Sequence, residues 1–373
     1  MRVLIFTADT GFGHRTASRS IVAALEQTYG AECECVIRSL TSDRRVPSLV
    51  RSSQQNYDNT VRHSRTWYWF TYAVSDSALR GAVGRVLTAL LHDAVRDIVA
   101  ETRPDAVVST HYLFNGPISA VLAEARLRAP YFTVVTDLAD VHRLWFQPGS
   151  RAYFVATEEV REQALAAGLP AQRVVLSGIP ISPRFADGER DKAALRELLG
   201  WEAGRPTLLA VGSRRMRHLA EHLEYINRRV PDLQMVVVAG GDNTLYRELR
   251  AVEWRVPVHL YGYVDEIPTM MGAADVLLSK AGGLILAESL SCGLPAILVD
   301  TIPGQESGNA AFVARHGAGI VARKPADTIR ALERWLREDH TELRRISRNA
   351  QKLGHPFAAS CVAEAIWRSL GGR

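Results

Sequence analysis

Residues 275–299 read DVLLSKAGGLILAESLSCGLPAILV, and their texture decides the fold. DVLLS is an apolar run long enough for a strand and too short for a helix. Gly282 and Gly283 interrupt it. The stretch from about Leu284 to Ser291 then reads as a helix, the turn around Gly293 and Pro295 ends it, and AILV (296–299) reads as a second strand. Strand, glycine loop, helix, strand is a βαβ unit with parallel strands.

The unit recurs in both directions. Downstream, 318–321 is a further strand candidate; upstream, so are 207–211, 234–239 and 257–260. Turn-formers cluster at Gly178, Pro180, Pro183 and Gly188, so 178–190 reads as a linker. Before it, strands are expected at 32–37, 105–109, 131–136, 152–155 and 173–176, after an opening strand RVLIFTA and a helix from about Thr16 to Thr28. Helices at 325–338, 340–352 and 358–370 close the chain. The Val-rich, continuous strands suit parallel sheets covered on both faces. The fold class is therefore α/β, with two Rossmann-like doubly wound domains facing a cleft. The expected domains are 1–180 and 190–354. Such sheets bind ligands beyond the carboxyl ends of their strands.

Composition agrees. The chain has 373 residues, 47% apolar and 23% charged, which suits two globular domains. Four cysteines are too few for a disulfide framework; Cys33 and Cys35 read as buried thiols on one strand face. No apolar run reaches about 18 residues, so a cytoplasmic or membrane-face location is expected. Residues 44–103 carry nine Arg and no Lys against five acids, most of the net charge of +5. Within them, 61–91 interleaves Arg62, Arg65, Arg80 and Arg85 with Trp67, Tyr68, Trp69, Phe70 and Tyr72. Arginine among aromatics suits an anionic membrane interface better than a nucleic acid.

Three loops carry chemistry. TADTGFGHRTAS (7–18) has Gly11 and Gly13 for a tight turn, but Thr16 stands where a dinucleotide fingerprint needs a third glycine. His14, at or just before the helix start, could take a proton from a hydroxyl, with Asp9 orienting it. In SKAGGLILAES, the helix N-terminus behind Gly282 and Gly283 offers N–H groups to a diphosphate, with Lys280 beside it. Glu288, about one turn on, could accept bonds from a ribose diol. In DTIPGQESGNAAFV (300–313), Gln305, Glu306 and Asn309 could read sugar hydroxyls. Weaker candidates are Gly212, Ser213 and Arg214 for a phosphate, and the backbone of YGYVDEIP (261–268) for a base. Asp137, Asp140 and His142 end a strand of the first half without H-x-x-x-H or H-x-H metal spacing between them. D-x-D is absent, so dipole and basic groups are expected to stabilise a leaving diphosphate in place of a metal.

TADTGFGHRTAS, VVTDLADVHRLWF, YFVATEEVREQAL, LSGIPISPRF, YGYVDEIPTMMGAADVLLSKAGGLILAESLSCGLPAILV and IPGQESGNAAFV together resemble the diacylglycerol glycosyltransferases, which include monogalactosyldiacylglycerol synthases and processive diacylglycerol glucosyltransferases. The resemblance implies a GT-B fold and inverting transfer of glucose or galactose from a UDP-sugar to the 3-hydroxyl of diacylglycerol. It implies no cofactor and no metal in catalysis. Gly282, Gly283 and Leu284 would bind the diphosphate, Glu288 the ribose, Gln305 and Glu306 the hexose, and the backbone near Tyr263 and Val264 the uracil. His14 would serve the acceptor hydroxyl, with Gly13, Asp137 and His142 on the acceptor side. Helix 358–370 would return to the first domain. Arg62, Arg65, Trp67, Trp69 and Phe70 would meet anionic lipid at the inner face of the cell membrane. The rival readings are a polyprenyl-linked acceptor, a UDP-sugar epimerase and a non-catalytic UDP-sugar-binding module.

Overall fold

The computed structural model describes residues 1–373 apart from 10, 11, 52–79, 126, 188–190, 214, 302–304, 338, 372 and 373. Arg62, Arg65, Trp67, Trp69 and Phe70, expected at a membrane, and Arg214 therefore lie outside the described residues. The chain divides into two compact units. One holds Met1–Pro183, Pro303–Gln305 and His355–Arg373, the other Arg184–Ile302 and Glu306–Gly354.

The first unit is built on six parallel strands, β1 (Arg2–Thr7), β2 (Glu34–Ser39), β3 (Ala106–Ser109), β4 (Tyr131–Val134), β5 (Ala152–Val155) and β6 (Val174–Leu176). Their order is β2-β1-β3-β4-β5-β6. Alternate residues supply two cores, as the period of a strand requires. Leu4, Phe6 and Val107 enter one core; Val3, Ile5 and Val108 enter the other. Helices α1 (Phe12–Tyr29), α2 (Ser48–Arg51), α3 (Arg80–Thr102), α4 (Asn115–Glu124) and α5 (Glu158–Ala166) accompany the strands. From α3, Leu91, Val95, Ile98 and Val99 pack on the Leu4 side at helical spacing.

The second unit repeats the plan with β7 (Thr207–Val211), β8 (Gln234–Val238), β9 (Val258–Tyr261), β10 (Val276–Ser279), β11 (Ala296–Leu298) and β12 (Gly319–Val321), again all parallel. The order is β12-β11-β10-β7-β8-β9. Its helices are α6 (Lys192–Leu198), α7 (Leu219–Arg229), α8 (Asn243–Arg250), α9 (Ile267–Ala273), α10 (Gly283–Ser291), α11 (Gln305–Arg315), α12 (Pro325–Trp335) and α13 (Thr341–Leu353). Buried Arg196 donates to the Ala273 carbonyl at 2.8 Å and to Asp275 at 2.6 Å, and Asp275 also accepts from the Thr207 N–H at 2.9 Å. That network holds the entry to β10 beside the entry to β7.

The last helix, α14 (Ala358–Ser369), belongs to the first unit. Ala359, Val362, Ala363 and Ile366 share a core with Ile21 and Leu25 of α1, and Tyr29 stacks on Trp367 at 4.0 Å. Each buried Val, Leu or Ile there contributes about 1.5–3 kcal/mol. Among the described residues no helix is long and apolar enough to cross a membrane. Cys33 is buried and Cys35 partly so, with their sulfurs 3.6 Å apart.

Candidate functional site

In the first sheet the strand order reverses between β1 and β3, and the loops leaving these strands meet at that switch point. The loop after β1 is shorter than its glycines suggest, because α1 begins at Phe12 and not near Thr16. Ser18 and Ser20 donate to the carbonyls of His14 and Thr16, so these polar side chains are satisfied within the helix. His14 consequently sits inside the first turn and not ahead of it. Its Nδ1 lies 2.9 Å from the carbonyl oxygen of Thr110, after β3, and 2.8 Å from Thr136 Oγ1, after β4. A carbonyl only accepts, so Nδ1 carries the proton and the ring's lone pair is on Nε2. That is the tautomer of a general base.

Asp9, expected to orient this ring, instead lies 3.5 Å from Arg15. Thr110 and Thr136 do the orienting. Replacing Thr136 with Val would remove one bond of about 1 kcal/mol from the His14 ring.

Next to His14 stands His111, whose ring centroid is 4.5 Å away. Burial first, then the neighbouring His14 and His142, hold its pKa well below the usual histidine value. Tyr112 stacks at 4.7 Å on His111 on one side and at 4.7 Å on His142 on the other. Four rings thus run in file from His14 to His142. His142 and Asp137 are buried, whereas Asp140 is exposed and does not join them. An open cavity of about 1010 Å³ lies against the far end of this file. Val141, Arg143 and Leu144, the residues around His142, line it with Thr88, Phe146 and Pro148. Gly13 is in α1, one residue before His14.

The second sheet reverses between β7 and β10, and there the glycine loop stands. Gly282 is the N-cap of α10 and brings no capping side chain, and among the described residues no side chain is seen bonded to that end. The first-turn N–H groups of Gly283 and Leu284 therefore face outward along the helix axis. Lys280 pairs with Glu306 from α11. Asn309, fully buried, donates to the Ala281 carbonyl at 3.2 Å. Both α11 side chains thus brace the glycine loop. Glu288 is buried within α10, and desolvation pushes its pKa up to about 8.

Ser213 accepts from the Arg215 N–H at 3.4 Å. Tyr263 is exposed and Val264 half-buried just past β9. Gln305 opens α11. Among the described residues no group of three His, Cys, Asp or Glu could hold a metal ion.

Asp300 was not anticipated. It follows β11 in the left-handed region at φ 54°. Its carboxylate accepts the backbone N–H groups of Arg217 and His218 at 2.7 Å each and contacts His218 Nδ1 at 2.6 Å. Burial would raise its pKa, but these bonds outweigh it and hold the carboxyl below its ordinary value. Thr110, His111 and Thr136 were also missed. Their one signal is position, just beyond the carboxyl ends of β3 and β4.

The profile of the monogalactosyldiacylglycerol (MGDG) synthase family matches residues 14–181, and that of the glycosyl transferases group 1 matches 191–353. A probable monogalactosyldiacylglycerol synthase 2, chloroplastic, of Oryza sativa subsp. japonica is 33% identical over 98% of this chain and 80% of its own length. The chain belongs to the monogalactosyldiacylglycerol synthase family. Monogalactosyldiacylglycerol synthase 2, chloroplastic, of Arabidopsis thaliana is 32% identical over the same shares. Among solved structures, Acinetobacter baumannii MurG superposes with a TM-score of 0.59 at 14% identity, covering 98% of this chain and 99% of its own. Anabaena Alr3699/HepE in complex with UDP-glucose superposes with a TM-score of 0.58 at 14% identity, covering 100% and 99%. These likenesses establish the GT-B fold, and the family establishes the chain as a UDP-sugar-dependent hexosyltransferase.

Proposed function

We propose that this member of the family transfers galactose from UDP-galactose to the 3-hydroxyl of diacylglycerol, with inversion at the anomeric carbon. The observation that carries the chemistry is the pinning of His14 Nδ1 on the Thr110 carbonyl, which makes Nε2 the proton acceptor. The acceptor hydroxyl gives its proton to Nε2 as its oxygen attacks the anomeric carbon from the face opposite UDP. The bond from that carbon to the diphosphate breaks. The N-terminus of α10 and Lys280 stabilise the departing charge, and Glu288 accepts from the ribose hydroxyls. Gln305 and Glu306 hold the hexose, and the backbone at Tyr263 and Val264 holds uracil. The cavity beside His142, with Leu144, Phe146 and Pro148 in its wall, suits acyl chains.

A product assay tests this. The enzyme is incubated with diacylglycerol in phosphatidylglycerol vesicles and with UDP-galactose or UDP-glucose in separate tubes. A β-galactosyl diacylglycerol is expected. A glucosyl product would move the donor assignment, and no glycolipid from either donor would sink the acceptor assignment.

We further infer a peripheral position on the inner face of the cell membrane, from the arginine and aromatic residues of 61–91. Each Arg near an anionic surface contributes about 1 kcal/mol. Replacing Arg62 and Arg65 with Gln lowers partitioning onto phosphatidylglycerol vesicles by at least about tenfold at low salt. Unchanged partitioning in a flotation assay would refute the docking role.

A further inference from the structure

Two helix N-termini open at the carboxyl edge of the second sheet from adjacent strands, that of α7 after β7 and that of α10 after β10. Both attract an anion by dipole and by unpaired first-turn N–H groups. They differ in one respect. Among the described residues, the α10 end has no side-chain cap. The α7 end has none from its own N-cap, His218, but Asp300 places a carboxylate there, accepting from the Arg217 and His218 N–H groups that lead into the helix. Asp300 belongs to the loop after β11, and β10 lies between β11 and β7 in the sheet. Its carboxylate therefore bridges the loops that flank the glycine loop on either side. The side chain is 2% exposed and makes three contacts of 2.6–2.7 Å. The backbone at φ 54° is one that glycine adopts more easily, yet glycine would bring no carboxylate.

We propose that Asp300 is a positioning residue for the donor diphosphate: it occupies the N-terminus of α7 and braces the 212–218 loop, leaving the N-terminus of α10 as the seat for the anion. The assignment rests on the donor half-site proposed above. It deepens that reading by saying why one helix end and not its neighbour receives the diphosphate. The carboxylate acts through the Arg217 and His218 backbone that it holds.

The test uses the full-length protein, titration calorimetry and two probes, UDP and uridine. Asp300→Asn removes the charge and leaves a single acceptor oxygen, so the N–H groups and His218 Nδ1 can no longer both face a carboxylate oxygen. Asp300→Gly removes the carboxylate but relieves the left-handed backbone, so it folds even where the Asn variant does not. Both variants are expected to weaken UDP binding by about tenfold and uridine binding by less than twofold, with the Gly variant melting within a few degrees of the parent. Equal losses for UDP and uridine would mean a general structural role and overturn the proposal. UDP affinity equal to the parent's would overturn it as well. A parent that binds no UDP would overturn the donor reading, and this assignment with it.

Discussion

His14→Ala loses turnover by about a hundredfold to ten-thousandfold while UDP binding stays at the parent's level. The magnitude is that of removing a positioned general base. The side chain is held by Thr110 and Thr136, both of the first unit, and the glycine loop, Lys280 and Glu288 are in the second unit. Truncation of the ring therefore leaves the donor half-site intact. The pH dependence should change with it. In the parent, kcat/KM falls on the acid side as Nε2 takes up a proton, and the variant loses that limb because it lacks the group. The measurement is kcat/KM against pH from 5 to 9 on vesicle-borne diacylglycerol, with calorimetric UDP binding alongside. Turnover equal to the parent's would remove His14 from the mechanism. A loss of UDP affinity comparable to the loss of turnover would make its role one of binding.

Glu288→Gln combines higher stability at alkaline pH with weaker donor binding. Burial pushes this carboxyl from its ordinary value of 4.5 up to about 8. Between those values the folded protein keeps a proton that the unfolded chain has released. Stability is therefore lost as pH rises through that window. The contribution is complete by about pH 8 and on the order of a few kcal/mol. Glutamine does not titrate, so the variant's melting temperature should stay level from pH 5 to 8 while the parent's drops.

Donor binding moves the other way. Ribose hydroxyls bonding to Glu288 favour its ionised form, so UDP binding near pH 7 should release a proton. Calorimetry in buffers of different ionisation enthalpy would detect it. Losing a charged acceptor of two hydroxyls weakens UDP binding by about tenfold to a hundredfold. A variant that binds UDP as the parent does would show that Glu288 is only a buried carboxyl of α10.

Several parts of this picture were legible from local sequence. Continuous apolar runs such as VVVA and DVLLS have few alternatives to a covered parallel strand. The helix start behind Gly282 and Gly283 was readable because the backbone freedom of a glycine pair is a local property. The start of α1 was misjudged by about four residues, because Gly11 and Gly13 read together as a turn, whereas Gly13 already lies inside the helix. Asp9 was expected at His14 because it is close in sequence, yet it lies beside Arg15.

Order along the chain, the alternation of strands and helices, and the residue types at strand ends follow from the sequence alone, since each depends on neighbours a few positions apart. Partner choice does not. Thr136 is 122 residues from His14, Thr110 is 96 away, and Asp300 is 83 from Arg217. No local periodicity couples such positions. They meet because strand order in a parallel sheet brings non-consecutive loops to one edge, and that order is set by how both faces of the sheet are covered. The tautomer of His14, the burial that raises Glu288 and the brace made by Asp300 are thus properties of the tertiary structure, because each is created by groups that only packing brings within 3 Å or removes from water.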